Sequence, residues 1–173
     1  MAGMRQGAPV KLLGPLGAGF PALQPDSLLV AGGVGLAPLA FLAASTEQRR
    51  TLVYGARTAK QLVCSPAELG LPNLTVVEAT EDGSRGKRGT VTDILPGLLP
   101  GSRALFACGP QRMLAAVKGQ ALQAGVPAWI SLEERMACGI GACLGCAVQT
   151  SGGYRRICRD GPVFPAGEVL FND

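Results

Sequence analysis

Histidine is absent from all 173 residues of the chain. Its absence excludes imidazole acid–base catalysis, histidine-ligated zinc and iron–sulfur centres of the Rieske type together. Aromatic residues make up only 5% of the chain, and no basic run interleaves with them, so nucleic-acid binding gains no support. The formal charge of +4, from 16 basic and 12 acidic residues, is spread without a dense block. A mildly positive face toward an acidic redox partner is compatible with that balance. No targeting pattern is visible at the N-terminus. Six cysteines without a secretory signal argue for a reducing compartment, the cytoplasm, over a disulfide framework.

A long apolar run is present but reads poorly as a membrane span. Ser27 to Thr46 carries no charged side chain, which meets the usual length criterion for a transmembrane helix. Gly32, Gly33, Gly35 and Pro38 interrupt it, and no Lys/Arg asymmetry frames it. A strand, a glycine turn and an Ala/Leu-rich helix explain the same letters, so no membrane association is expected.

The informative part of the chain is Cys138-Gly-Ile-Gly-Ala-Cys143-Leu-Gly-Cys146, followed after eleven residues by Cys158. C-x4-C-x2-C with a later fourth cysteine is the ligand spacing of a plant-type [2Fe–2S] cluster. Gly139, Gly141, Ala142 and Gly145 keep the loop small, so its N–H groups can approach the sulfurs and tune their charge. Zinc also takes four cysteines, but its sites usually pair two short C-x2-4-C units, and Cys158 stands alone. Cys64 is expected to be an ordinary buried or half-buried thiol.

Residues 1–26 read as irregular, with Gly14-Pro15-Leu16-Gly17-Ala18-Gly19-Phe20 and further prolines at 21 and 25. From 27 onward the pattern predicts strands at 28–31, 51–54, 74–79, 103–107 and 127–132, with helices at 36–45, 58–64, 90–98 and 111–123. Thr90-x-x-Asp93 resembles a capping box, and Gly125 is placed to stop the last helix. Such βα alternation predicts an α/β fold with a parallel doubly wound sheet and ligands at the carboxyl ends of its strands. After about 133 the texture shifts to Cys, Gly and short strands such as 146–150 and 154–157. That suggests a small [2Fe–2S] module built around its metal. The expected division is 1–26, 27–132 and 133–173.

Three turns at predicted strand ends are candidate binding elements. Gly32-Gly33-Val34-Gly35-Leu36-Ala37-Pro38 is not a G-x-G-x-x-G fingerprint, yet glycines opening a helix expose N–H groups to a diphosphate. Tyr54-Gly55-Ala56-Arg57 offers a ring and a cation for an adenosine ribose or phosphate, although a plain surface arginine reads equally well. Ala107-Cys108-Gly109-Pro110 with Met113 suits a nicotinamide approaching a flavin.

Together, Gly32–Leu39, Tyr54–Arg57 and Cys108–Met113 resemble, in order and spacing, the pyridine-nucleotide domain of the ferredoxin-reductase superfamily. Ser131–Val148 and Tyr154–Phe164 resemble the electron-transfer subunits of type B dihydroorotate dehydrogenases, the PyrK type. Thr80–Ser84, Gly89–Asp93 and Gly14–Phe20 fit the same family. The resemblance implies that Cys138, Cys143, Cys146 and Cys158 hold the cluster. It places Gly33, Gly35 and Pro38 at the nucleotide phosphates, and Arg57 on the adenosine side. Cys108, Gly109, Pro110 and Met113 would lie near the nicotinamide, and Gly17 and Gly19 would border a flavin. The family's N-terminal β-barrel, which holds FAD through an Arg-x-Tyr/Phe-Ser motif, has no counterpart in this sequence, so FAD is implied for the intact system.

The implied function is electron transfer from the FMN of a dihydroorotate dehydrogenase catalytic subunit, through a [2Fe–2S] cluster and FAD, to NAD+ in pyrimidine (UMP) biosynthesis. The implied assembly is a heterotetramer with that subunit. The alternative is a flavin/iron–sulfur NAD(P)H reductase subunit serving ferredoxin or another dehydrogenase. Arg57 and Lys60 would then fit a 2′-phosphate. Glu133, Glu134 and Arg135 precede the cluster loop and are candidates for subunit docking, or a solvated turn.

Overall fold

The computed structural model describes residues 3–62 and 66–171. Cys64 therefore lies outside the described residues, as does the end of the helix expected at 58–64. Among the described residues nine strands are formed in chain order: β1 Ser27–Gly32, β2 Arg50–Ala56, β3 Leu74–Thr80, β4 Lys87–Arg88, β5 Ala104–Cys108, β6 Ala128–Ser131, β7 Ala147–Thr150, β8 Gly153–Arg156 and β9 Val163–Pro165. The α-helices are α1 Leu36–Ala44, α2 Val91–Ile94, α3 Gln111–Gln123 and α4 Ile157–Asp160.

Seven strands make one sheet in the order β4-β3-β2-β1-β5-β6-β9, parallel except for β9. β1 sits centrally, with Leu29 opposite Leu52 on one side and Phe106 on the other. The chain leaves β1 toward β2 and β3, then crosses back to β5 and β6. The direction of winding therefore reverses between β1 and β5. In a doubly wound sheet that reversal opens a crevice at the carboxyl ends of the strands.

Period-two alternation explains the two cores. In β1, Leu28 and Val30 face one layer, with Val53, Leu105, Val91, Leu114 and Val117. Leu29 and Ala31 face the other, with Leu52, Tyr54, Phe106, Leu36 and Leu39. Helix α1 thus covers one face, and α2 and α3 cover the other. Full burial of Leu29, Leu39 and Leu52 contributes about 1.5–3 kcal/mol each relative to exposure. Phe106 stacks on Trp129 with centroids 5.4 Å apart, and Phe20 meets it edge-on at 5.9 Å, which pins the N-terminal segment to the sheet.

The uncharged run from Ser27 to Thr46 resolves into β1, a short 3-10 turn and the nine-residue α1. Among the described residues no helix is long and apolar enough to cross a membrane. Two expected helices need correction. Within 58–64 the described part is only a 3-10 turn at Ala59–Gln61. The stretch 90–98 keeps α2 and then breaks into 3-10 turns at Leu95–Gly97 and Leu99–Gly101. Pro96 and Pro100 lack the N–H that an α-helix would need at those points.

The C-terminal stretch forms a small two-stranded sheet from β7 and β8. It also hands β9 back to the main sheet, where Ile130 pairs with Phe164. Cys146, Ile157, Cys158, Phe164 and Val169 are buried in the same cluster as Leu114 and Val117 of α3. The change of texture at 133 is therefore spanned by one continuous core.

Candidate functional site

Glycine shapes two sites in this fold. At the carboxyl ends of β1 and β5, two turns press directly on each other. A Cβ on Gly35 would sit 2.1 Å from the Cys108 carbonyl oxygen, and one on Gly109 would sit 3.0 Å from Gly32 N. A Cβ on Gly32 would meet Met113 Sδ at 2.7 Å and Pro110 Cδ at 2.8 Å. Only bare backbone lets the turns close to this spacing. Gly33, at φ +54°, has nothing within 4 Å of its absent side chain, and it lines open space.

That space is a cleft of about 550 Å³ over the strand ends, with Gly32, Gly33, Arg57, Pro110 and Met113 in its wall. Glu81, Thr90 and Arg112, none of them expected as site residues, also line it. Lys60 is not part of the wall. Arg57 follows β2 and Arg112 stands in the first turn of α3, so the two cations enter from different walls. Neither forms an ion pair among the described residues. A cation in the first turn opposes the helix dipole, and that mismatch was the signal available in the sequence for Arg112. Asp93 receives hydrogen bonds from the Thr90 N–H and hydroxyl, both at 2.7 Å. Those bonds hold its carboxyl below the ordinary aspartate range and fix the start of α2 at the cleft.

The other expected nucleotide residues lie behind the wall or beside it. Gly35 is buried against Cys108. Pro38 is exposed in the first turn of α1, where the missing N–H costs nothing. Cys108 is buried; burial pushes its thiol pKa up, and a hydrogen bond with Ser131 opposes that shift. Gly109 lines a second, smaller hollow with Pro110, Leu132, Glu133 and Glu134. Gly17 and Gly19 are outside the cleft. Their segment pairs with the C-terminal part of the chain, where the Gly161 carbonyl accepts from Ala18 N–H at 2.5 Å and the Ala18 carbonyl accepts from Val163 N–H at 3.3 Å. A Cβ on Gly17 would lie 2.1 Å from that Gly161 oxygen, so this contact alone requires glycine there.

The four motif cysteines gather at the loop between β6 and β7 and at α4. They gather as two pairs. The Cys146 and Cys158 sulfurs are 3.4 Å apart and buried. Cys143 N–H points at Cys138 Sγ at 3.4 Å, and Gly145 N–H points at Cys143 Sγ at 3.5 Å. Leu144 takes φ +61° between them, a left-handed turn rare for a residue with a side chain. N–H groups, led by those of Cys143 and Ile140, hold the Cys138 thiol down to about 6. The Cys158 N–H lowers Cys146, whereas burial, followed by the neighbouring Cys146, raises Cys158.

This donor set fits a two-iron cluster. Two irons each take two protein ligands, as the replacement of one iron's pair in Rieske centres illustrates. Two thiol pairs joined by an N–H-lined loop match that requirement. Met136, Ile140 and Leu144 stand exposed around the loop.

The comparisons agree with this geometry. Residues 133–170 match the iron–sulfur cluster binding domain of dihydroorotate dehydrogenase B. Residues 29–119 match an oxidoreductase NAD-binding domain. The electron transfer subunit of dihydroorotate dehydrogenase B (NAD(+)) from Caldanaerobacter subterraneus subsp. tengcongensis is 44% identical over 174 residues, covering 97% of this chain and 69% of its own. The chain belongs to this family of electron transfer subunits. The corresponding subunit of Geobacillus kaustophilus is 42% identical, over 98% of this chain and 68% of its own. The electron transfer subunit relatives are thus matched over about two thirds of their length. Among solved structures, an NADH-dependent reduced ferredoxin-NADP oxidoreductase, described for flavin-based electron bifurcation, superposes with a TM-score of 0.76 at 34% identity. That match covers 93% of this chain and 60% of the other.

Proposed function

We propose that this chain is the nucleotide- and cluster-bearing part of an electron transfer subunit that passes electrons taken from dihydroorotate to NAD+. The single observation that carries the reading is the pairing of the four thiols on a core continuous with that under the glycine-walled cleft, in a member of this family. Cys138 and Cys143 would hold one iron of a [2Fe–2S] cluster, and Cys146 and Cys158 the other. Gly33 and the start of α1 would take the nucleotide diphosphate, with Arg57 and Arg112 neutralising it. Pro110 and Met113 would floor the nicotinamide end of the cleft, with Cys108 and Gly109 behind and beside them. The cluster carries single electrons and the nicotinamide a hydride, and FAD, when bound, converts between the two. The residues bind and orient these groups, and no step asks them for a proton, which agrees with the absence of histidine.

The partner proposed is an FMN-containing dihydroorotate dehydrogenase catalytic subunit, in a cytoplasmic heterotetramer. FAD is proposed for the intact assembly, near the segment holding Gly17 and Gly19. The similarity to the ferredoxin-NADP oxidoreductase structure supports the second reading, a reductase subunit serving ferredoxin. The test is an oxygen-free preparation mixed separately with the catalytic subunit and with ferredoxin. Iron and labile sulfide in a one-to-one ratio, together with co-elution with the catalytic subunit, support the first reading. Binding to ferredoxin alone favours the second, and one zinc per chain without iron overturns both.

A further inference from the structure

Two charged side chains beside the cluster loop have no role in the reading above. Arg156 ends β8 and Asp160 ends α4, so they bracket the ligand Cys158 in sequence. Arg156 Nη1 donates to the Gly141 carbonyl at 3.0 Å. Its backbone N–H donates to Asp160 Oδ2 at 2.8 Å, and its Nε lies 3.5 Å from the same oxygen. Both side chains are half-buried, at 26% and 20% exposure. The guanidinium therefore joins three separate segments: β8, the end of α4 and the middle of the cluster loop.

Gly141 is the peptide being held. It lies between Cys138 and Cys143, is buried, and takes φ +85°. Its carbonyl is taken by Arg156, and its N–H opposes the upward push of burial on the Cys158 thiol. A Cβ there would come within 3.0 Å of the Arg159 side chain. The next two N–H groups, of Ala142 and Cys143, face Cys138. The Gly141 carbonyl and the Ala142 N–H share one peptide plane, so its rotation would turn the Ala142 donor away from Cys138 and displace the Cys143 N–H beside it. The ion pairs Arg49–Asp26 and Arg85–Glu78 lie on other parts of the fold and make no such bridge.

We propose that Arg156, anchored by Asp160, is a positioning residue for the iron–sulfur cluster, fixing the Gly141 peptide so that the loop N–H groups face the sulfurs and adding a positive charge that tunes the cluster potential. The inference rests on the cluster reading given above. Hydrogen bonds to the sulfurs and net local charge set such potentials, and partners behind the ligands govern retention of the metal. Arginine suits the role because its planar fork serves a carbonyl and a carboxylate at once. A lysine is a point charge that cannot span both.

The test uses the whole chain, purified without oxygen and carrying its cluster. Midpoint potential, the electron-spin spectrum of the reduced cluster and the rate of iron removal by a ferrous chelator are compared for wild type, Arg156→Gln, Arg156→Lys and Asp160→Asn. Arg156→Gln is expected to lose iron about tenfold faster, with an altered spectrum and a more negative potential. Asp160→Asn keeps an acceptor for the Arg156 N–H but removes a negative charge, so its potential moves the opposite way. Arg156→Lys restores the potential without restoring iron retention. Wild-type potential and spectrum in Arg156→Gln, with iron loss within about twofold of wild type, overturn the proposal. So do shifts of the same sign in Arg156→Gln and Asp160→Asn, the mark of general loosening. Should Arg156→Gln fail to fold, an unchanged potential in Asp160→Asn overturns it instead. A wild-type chain without iron or sulfide sinks the cluster reading itself, and that result is distinct from a normal cluster indifferent to Arg156.

Discussion

The nucleotide cleft and the cluster loop use the same device in different surroundings. Each places glycine where backbone N–H groups must come close to a charged group. The cleft, however, hangs on the ends of buried strands, where Gly35 is held by the Cys108 carbonyl and Gly109 by Gly32. Its shape is dictated by the sheet and should persist without ligand. The loop from Cys138 to Gly145 contains no strand or helix. Its internal restraints are N–H contacts to sulfur at 3.4 and 3.5 Å and one arginine across its middle. A site built on a sheet can wait for its ligand, whereas a site built on a loop must be completed by its metal.

The sharpest way to break this contrast is Cys146→Ser. Cys146 is buried beside Cys158, so its loss should remove iron and labile sulfide altogether. Binding of ADP-ribose, followed by calorimetry, should stay within about twofold of wild type, because the sheet rather than the metal shapes the cleft. Loss of nucleotide binding as well would show that the core shared by Cys146, Cys158 and α3 couples the two sites.

Gly35→Ala is the converse probe. The new methyl would meet the Cys108 carbonyl at 2.1 Å, and backbone on backbone cannot yield cheaply. Overpacking of this kind costs about 1–3 kcal/mol, readable as a lower thermal midpoint together with weakened nucleotide binding. Iron content should not change. If the cluster is lost too, the loop depends on the cleft, and the proposed independence fails in that direction.

Much of this was legible in the sequence, for reasons that differ by element. The bounds of α3 were readable because Pro110 starts it and Gly125, at φ +67°, follows its end. The central strands were readable as apolar runs buried on both faces. Strands β4 and β9, of two and three residues, are too short to carry any period. Their pairing is decided by residues far away, such as Ile130 opposite Phe164. The cysteine spacing singled out the four thiols that the structure gathers, but their division into two pairs required coordinates, since spacing alone does not say which thiols meet. Glu81 gave no sign of its place at the cleft and Arg112 only its mismatch with the helix dipole, because only the crossovers bring the end of β3 and the start of α3 to one cleft.

Arg57→Ala and Arg112→Ala sharpen the comparison within the cleft. Each removes one charge-assisted contact to a bound diphosphate, worth about 1.5–3 kcal/mol, so ADP-ribose affinity should fall about tenfold to about a hundredfold per substitution. The paired variant should fall further, and both effects should shrink as salt is raised. Cluster content and potential should be untouched. An Arg112→Ala chain that binds as wild type would leave its unfavourable place in the first turn of α3 without a purpose.

The smallest expected effect lies where α2 begins at the cleft. Thr90→Ala removes the hydroxyl that donates to Asp93 at 2.7 Å, while the Thr90 N–H bond to the same carboxylate survives. Losing such a cap costs about 1 kcal/mol, measured by denaturant unfolding with an unchanged slope. The sign of the pH dependence follows from the Asp93 carboxyl, held below its ordinary range by the Thr90 hydroxyl first and the Thr90 N–H second. Its contribution is complete above the unfolded aspartate range and disappears as pH falls through the depressed folded value. The wild type should therefore lose its margin over Thr90→Ala on acidification. The two unfolding curves should converge at the acid end and stay apart near neutrality. A gap that persisted at low pH would mean that the threonine acts through packing rather than through the carboxylate.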